Sequence, residues 1–219
     1  MRLLFDLDGT LTDPFVGITR CIQHALTSLG RNSPPADDLR WCIGPPLTDS
    51  FRVLLKTDDE TMAAEALRLY RERFGEIGLF ENEVYAGIMK TLQVLKERGY
   101  TMSVATSKPE LYAVKIIEHF ELDQFFQSID GSQLDGTRSD KGALIRYILD
   151  RDNLDRNQSV MVGDRKHDMI GARSNHILAV GVLWGHGSLE ELKAAGAFST
   201  ANDPYELPCI IKEIDHATD

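Results

Sequence analysis

Apolar residues recur along this chain in two rhythms. From Phe15 onward the spacing is helical: Phe15, Ile18, Ile22, Ala25, Leu26 and Leu29 form one stripe, stopped by Gly30. Asp13-Pro14 ahead of it reads as a helix start, with Asp as N-cap and Pro at the first helical position. Ser33-Pro34-Pro35 opens a short second helix ending near Gly44-Pro45-Pro46, and Leu47, Phe51, Leu54 and Leu55 mark a third. Thr57 and Glu60 read as a capping box before Ala63, Leu67, Tyr70 and Phe74, closed by Gly75. From Pro14 to about Phe80 the prediction is purely helical.

Either side of that segment the pattern alternates. Arg2 to Asp6 reads as a short buried strand. After Tyr85, the stripe Ile88, Leu92, Leu95 ends at Gly99, and Thr101 to Thr106 is a strand. Ser107 and Glu110 are expected to box the next helix (Leu111, Val114, Ile117), followed by a strand around Phe125 to Ile129. Asp140 opens a helix through Leu144 and Ile148, and Ser159 to Val162 and Ile177 to Leu183 are further strands. Strands alternating with helices imply a parallel sheet covered on both faces. The expected fold is therefore α/β, with an all-helical insert after the first strand. Residues 1–13 and 83–219 make the core and 14–82 the insert, with hinges near Thr12-Asp13 and Asn82-Tyr85.

Charge narrows the function. Lys and Arg number 24 against 34 Asp and Glu, a net charge of −10 over 219 residues. With no basic run, nucleic acid is a poor partner. Seven of the eight basic residues between Pro14 and Asn82 are Arg, a side chain suited to phosphate or carboxylate. The longest apolar run, Ile177 to Trp184, is far short of the roughly 18–20 residues of a membrane helix. Asp6 interrupts Leu3-Leu4-Phe5, so no signal-peptide core is expected. Cys21, Cys42 and Cys209 are widely spaced and read as reduced core thiols, which fits a cytoplasmic protein.

Ligands of open parallel sheets bind beyond the carboxyl ends of the strands. The polar residues at those ends are Asp6, Asp8 and Thr10 after the first strand, Thr106, Ser107 and Lys108 after the next, and Asp164 with Asp168 after a later one. Asp6 and Asp8, two apart, point the same way in extended backbone. Asp164 and Asp168 share a face if Asp164 opens a helix. Four carboxylates on one edge repel and call for a cation, and all-oxygen ligation suits Mg²⁺. Lys141, at a helix start, can add a second positive charge. Each residue alone has an ordinary explanation as a turn, a cap or a surface amine. Their joint placement on successive strand ends of one sheet does not.

The run Phe5-Asp6-Leu7-Asp8-Gly9-Thr10-Leu11 resembles the first motif of the haloacid dehalogenase superfamily, mostly phosphatases. Thr106 matches its second motif, Lys141 its third, and Gly163-Asp164-Arg165-Lys166-His167-Asp168 its fourth. The match spans the whole chain. Ile43 to Leu47 and Gly181 to Leu192 further resemble the phosphoglycolate phosphatase-like branch. The resemblance implies a Rossmann-like core with a helical cap and a small phosphorylated metabolite as substrate. It implies that Asp6 attacks phosphorus to form an aspartyl phosphate, and that Asp8 protonates the leaving oxygen and then deprotonates the hydrolytic water. It implies that Thr106 and Lys141 hold the phosphoryl oxygens. It implies that Asp6, the backbone carbonyl of Asp8, and Asp164 bind Mg²⁺, with Asp168 supporting the metal or Lys141.

Other residues near these motifs carry less. Ser107 is a further candidate for substrate binding, and Arg20, Arg40 and Arg52 are cap candidates for the leaving group. Lys108 reads as solvent-facing or helix-starting, and His167 occupies a variable position of the fourth motif. Trp184 and His186 border the last strand end. A β-phosphoglucomutase-like phosphomutase is the competing enzyme, against which Thr10 argues; a non-catalytic phosphate-binding protein would be expected to lack a motif residue. No membrane partner is expected, and the protein is expected to be a monomer or small homo-oligomer.

Overall fold

Leu3, Leu4 and Phe5 are buried almost completely, as residues of a strand covered on both faces must be. In the computed structural model, which describes residues 1–218, they form β1 (Arg2–Phe5), a central strand of a six-stranded sheet. The chain continues through β2 (Thr12–Asp13), α1 (Phe15–Ser28), α2 (Leu47–Leu55), α3 (Glu60–Arg73), β3 (Glu83–Val84), α4 (Ile88–Glu97) and β4 (Thr101–Pro109). Then come α5 (Glu110–His119), β5 (Ser128–Ser132), α6 (Lys141–Arg151), β6 (Ser159–Gly163) and α7 (Lys166–Ser174). The last elements are β7 (Leu178–Val182), α8 (Leu189–Ala195), β8 (Ser199–Ala201) and α9 (Leu207–Thr218).

The sheet order is β5-β4-β1-β6-β7-β8 and its pairings are parallel. The chain thus builds outward on one side of β1, then crosses back and builds outward on the other. That reversal puts the topological switch point between β1 and β6. Along each strand, alternate side chains take opposite faces. Leu4, Ala105 and Met161 pack with Leu144 and Ile148 of α6, Met169 of α7 and Leu192 of α8. Right-handed crossovers carry α4 and α5 to the other face, where α9 packs against α4. This is a Rossmann-like α/β sheet with helices on both faces.

Two glycines set how closely α6 and α7 approach. A Cβ on Gly171 would lie 2.9 Å from Cγ of Lys141, and one on Gly142 would lie 2.8 Å from Oγ of Ser174. Asn175, buried just past α7, donates Nδ2 to the carbonyls of both Gly142 and Gly171 at 2.8 Å. The first turn of α6, which starts with Lys141, is therefore stapled to the helix that carries Asp168.

The chain divides into two compact units, Met1–Thr12 with Val84–Asp219, and Asp13–Glu83. The connecting strands β2 and β3 pair with each other. Within the helical unit, Phe51, Tyr70 and Phe74 build an aromatic core: Phe51 meets Tyr70 edge-on at 6.3 Å, and Tyr70 stacks on Phe74 at 5.1 Å. Asp13 accepts the N–H of Phe15 at 3.0 Å, but the N-cap of α1 is Pro14 rather than Asp13, so Pro14 precedes the first helical position instead of filling it.

Several local expectations change. Asp59, rather than Thr57, caps α3 by accepting the N–H of Thr61 at 2.8 Å. Gly75 does not stop that helix, because the backbone widens into a π turn over Phe74–Gly78. The expected helix after Ser33-Pro34-Pro35 is a 3₁₀ helix, Ala36–Cys42. Ser107 caps nothing, since β4 runs on to Pro109 before α5 begins. Arg165, not Asp164, is the N-cap of α7. Cys209 is exposed, whereas Cys21 and Cys42 are buried. Among the described residues, no helix is long and apolar enough to cross a membrane.

Candidate active site

At the carboxyl end of β1 the chain must leave a buried strand and turn at once. Leu7 accepts the N–H groups of Thr10 and Leu11, and Gly9 N–H is donated to Thr12 O at 2.8 Å. Gly9 has φ +81°, which favours glycine, and a Cβ there would lie 2.2 Å from Oδ2 of Asp164. The turn thereby brings Asp6 beside the end of β6. Asp164 follows β6 directly, and Asp168 is the third residue of α7, where its Oδ2 accepts Arg165 N–H at 3.1 Å.

Carboxylate oxygens of Asp6, Asp164 and Asp168 all lie within 4.8 Å of one another. All three residues are buried, Asp164 and Asp168 completely. Lys141 Nζ reaches Asp6 Oδ1 at 3.0 Å, Asp168 Oδ1 at 2.8 Å and the carbonyl of Ala105 at 2.9 Å. The ammonium thus donates to a backbone carbonyl and forms ion pairs with two carboxylates. Asp6 Oδ1 also accepts the N–H of Leu7 at 2.8 Å. Asp164 Oδ2 accepts the backbone N–H of His186 at 2.8 Å.

One ammonium pairs with two of the three buried carboxylates, Asp6 and Asp168, and the titration of Asp164 and Asp168 reflects the imbalance. Burial, then Asp168 and Asp6, pushes the Asp164 carboxyl well above the usual carboxylate range. Burial also raises Asp168, against the pull of Lys141. Burial works against the charge on Lys141, but Asp168 and Asp6 outweigh it and hold its ammonium above the ordinary lysine value. Ionised together, these four groups carry two surplus negative charges, which one divalent cation would neutralise. The donor set is all oxygen, buried and compact, and therefore fits a hard cation such as Mg²⁺.

Asp8 stands apart from this group. Its carboxylate is gripped by Lys108, whose Nζ lies 2.8 Å from Oδ1 and 2.7 Å from Oδ2. Lys108 was expected to face solvent or start a helix, and instead its side chain is only 5% exposed. β4 runs on to Pro109, and Lys108 lies in the stretch between Ala105 and Pro109 where its register with β5 shifts. Thr106 is buried beside them, and its Oγ1 accepts the N–H of Lys108 at 3.2 Å. Ser107, half-buried, accepts the hydroxyl of Ser132 on its carbonyl at 2.9 Å.

The candidate arginines belong to the helical unit and are held there by its own side chains. Arg40 lies over the ring of Phe15 at 4.0 Å and reaches Asp37 at 2.9 Å. Arg52 pairs with Asp49 at 3.1 Å and Glu60 at 3.3 Å. Arg20 pairs with Glu81 at 2.7 Å. Trp184 donates its indole N–H to the carbonyl of Thr10 at 3.0 Å, bracing the turn after Asp8. The support that His186 gives Asp164 comes from its backbone, so no side-chain pattern in the sequence announces it.

Comparison with known proteins agrees with this geometry. The model of the haloacid dehalogenase-like hydrolases matches residues 3–182. A 5'-nucleotidase of Pseudomonas aeruginosa is 49% identical over 88% of this chain and 87% of its own. The tyrosine-protein kinase PtkA of Mycobacterium tuberculosis is 37% identical over 84% of this chain, which spans 62% of that protein. Among solved structures, one described as a predicted phosphatase from Clostridium acetobutylicum superposes with a TM-score of 0.92. It is 43% identical and covers 97% of this chain and 98% of its own. A parallel sheet with carboxylates gathered at its switch point, a family model that matches residues 3–182 and a superposition over 97% of the chain place this chain in the haloacid dehalogenase-like hydrolase family, beside its phosphatases.

Proposed function

We propose that this protein is a Mg²⁺-dependent phosphatase of small phosphomonoesters that works through a phosphorylated Asp6, with nucleoside 5'-monophosphates as the preferred substrate class. The observation that carries the chemistry is the buried group of Asp6, Asp164, Asp168 and Lys141 at the end of β1. The substrate class is supported by the relative named 5'-nucleotidase, which is more similar than a phosphoglycolate phosphatase at 25% identity. Phosphoglycolate and sugar phosphates are the alternatives.

In this reading Asp6, Asp164 and the carbonyl of Asp8 hold the cation, and Asp168 supports it or Lys141. Bound there, Mg²⁺ supplies positive charge that lets a dianionic ester approach a carboxylate. Lys141 and Thr106 hold the phosphoryl oxygens in place, with Ser107 beside them. An oxygen of Asp6 attacks phosphorus while the ester P–O bond breaks, and Asp8 gives its proton to the departing oxygen. Asp8 then takes a proton from water as that water attacks phosphorus and releases Asp6. Phosphoryl transfer of this kind is mainly positioning and electrostatics, which a rigid buried cluster supplies. The helical unit selects the alcohol part of the ester, with Arg40 and Arg52 as its candidate contacts.

The test is a panel of nucleoside, sugar and carboxylate phosphomonoesters assayed with Mg²⁺, after chelation and for Asp6→Asn. Activity is expected to vanish on chelation, to return with Mg²⁺, and to be absent in Asp6→Asn. Turnover that survives exhaustive chelation, or an active Asp6→Asn, refutes the mechanism. A higher kcat/KM for sugar phosphates or phosphoglycolate refutes only the substrate class.

A further inference from the structure

Lys108 and Asp8 come from different strand ends, 100 residues apart in sequence. Their pair is largely withdrawn from water, with side chains 5% and 13% exposed. A buried ammonium is costly to desolvate, and an apolar side chain of similar length would fill the same space more favourably. Packing does not explain a lysine here. The backbone beneath it is also fixed. Lys108 N–H is tied to Thr106 Oγ1, Pro109 pairs with Ser132 beyond a shift in register that begins after Ala105, and a Cβ on Gly131 would lie 2.6 Å from the Lys108 carbonyl. From this base the ammonium meets both oxygens of Asp8 almost equally, at 2.8 and 2.7 Å.

The consequence is a sorting of two carboxylates that the extended backbone would send the same way. Lys141 takes Asp6 into the group with Asp164 and Asp168. Lys108 takes Asp8 and keeps its carboxylate out of that group. We infer that Lys108 is a positioning residue for Asp8: it aims the carboxyl at the departing oxygen and meets the charge that appears on it as the proton leaves. This inference rests on the reading of Asp8 as the proton-exchanging group. The same strand end then provides Thr106 for the phosphoryl oxygens and Lys108 for the acid.

The readout is dependence on the leaving group. A nitrophenolate departs without a proton, whereas an alkoxide needs one. Lys108→Met, Lys108→Arg and Asp8→Asn are compared with the parent protein on para-nitrophenyl phosphate and on an alkyl phosphate, with saturating Mg²⁺. Because each result is a ratio of kcat/KM within one variant, the fraction of folded protein cancels. Lys108→Met is expected to lose on the order of 10²-fold more on the alkyl ester than on the aryl ester, the low end of general acid–base effects. Lys108→Arg, which can still grip a carboxylate with two N–H groups, is expected to recover most of that ratio. Added to Asp8→Asn, Lys108→Met should deepen the bias little, since both act on one proton transfer. If Asp8→Asn shows the bias and Lys108→Met slows both esters equally, the inference falls and the reading of Asp8 stands. If Asp8→Asn shows no bias, that reading falls and the inference with it.

Discussion

Lys141 and Arg52 each face two carboxylates, in very different surroundings. The side chain of Lys141 is 3% exposed, and its partners Asp6 and Asp168 are 10% and 1% exposed. That of Arg52 is 39% exposed between Asp49 at 64% and Glu60 at 85%. Water screens the second set, and such pairs contribute about 0–1 kcal/mol each. The first set has no water to fall back on, so losing one member strands the others in low dielectric. One unit thus has its charges locked by the packing of β1, β6, α6 and α7. In the other, Arg40 and Arg52 sit in surface pairs that cost little to give up.

The contrast breaks most sharply at Gly9. Gly9→Ala adds a side chain at φ +81°, 2.2 Å from Oδ2 of Asp164, and Asp164 is too deeply buried to step aside freely. Activity with Mg²⁺ is expected to fall by about 10²-fold or more, since small misplacements in a positioned site cost that much, and stability by roughly 1–3 kcal/mol. Kinetics and thermal melts of the same preparation check both, and near-parental kinetics would show that the locking is weaker than described.

Next comes pH. Asp164 and Asp168 bind protons more tightly in the folded protein than in the unfolded chain. Their contribution to stability is therefore fully present below the ordinary carboxylate value of about 4 and is lost as pH rises through their raised folded values. Metal-free protein is expected to lose melting temperature over that climb, by the equivalent of about 1.4 kcal/mol per pKa unit of mismatch. Mg²⁺ should remove the loss. Melting curves from pH 4 to 8 with Mg²⁺ and with chelator make the comparison, and two parallel curves would contradict it.

The smallest effect sharpens the other side. Arg52→Ala and Arg40→Ala are expected to change stability by under about 1 kcal/mol, because their partners are exposed. They should instead lower the ratio of kcat/KM for the best substrate to that for a small generic ester. Equal losses on both esters would make these arginines structural.

What the sequence made legible follows the same division. The strand ends and their carboxylates, Asp6, Asp164 and Asp168, could be located because strand–helix alternation and short motifs are local signals. The orientation of Lys108 is not legible in the sequence, because it depends on β4 running to Pro109 through a shift in its register with β5. Asn175 and the N–H of His186 left no trace, since their roles exist only once distant backbone groups are adjacent. In the helical unit, Gly75 looked like a stop because glycine commonly ends helices; the π turn through it is set by packing around Phe74 and Gly78.

The order of the sheet also has a consequence for how the protein is made. β1 precedes every other strand of its sheet in the chain, yet its neighbours β4 and β6 pair with Arg2 through Thr101 and Ser159. At roughly 5–20 residues per second of synthesis, Leu3, Leu4 and Phe5 wait on the order of ten seconds for both partners. The helical unit, whose contacts are local, can assemble during that interval, whereas the sheet must close late over long loops. Arg2 and Asp6, flanking the apolar triplet, are placed where charges discourage a nascent strand from pairing with another chain. A carboxylate buried among Asp164, Asp168 and Lys141 in the folded protein would thus first keep β1 soluble until its partners exist.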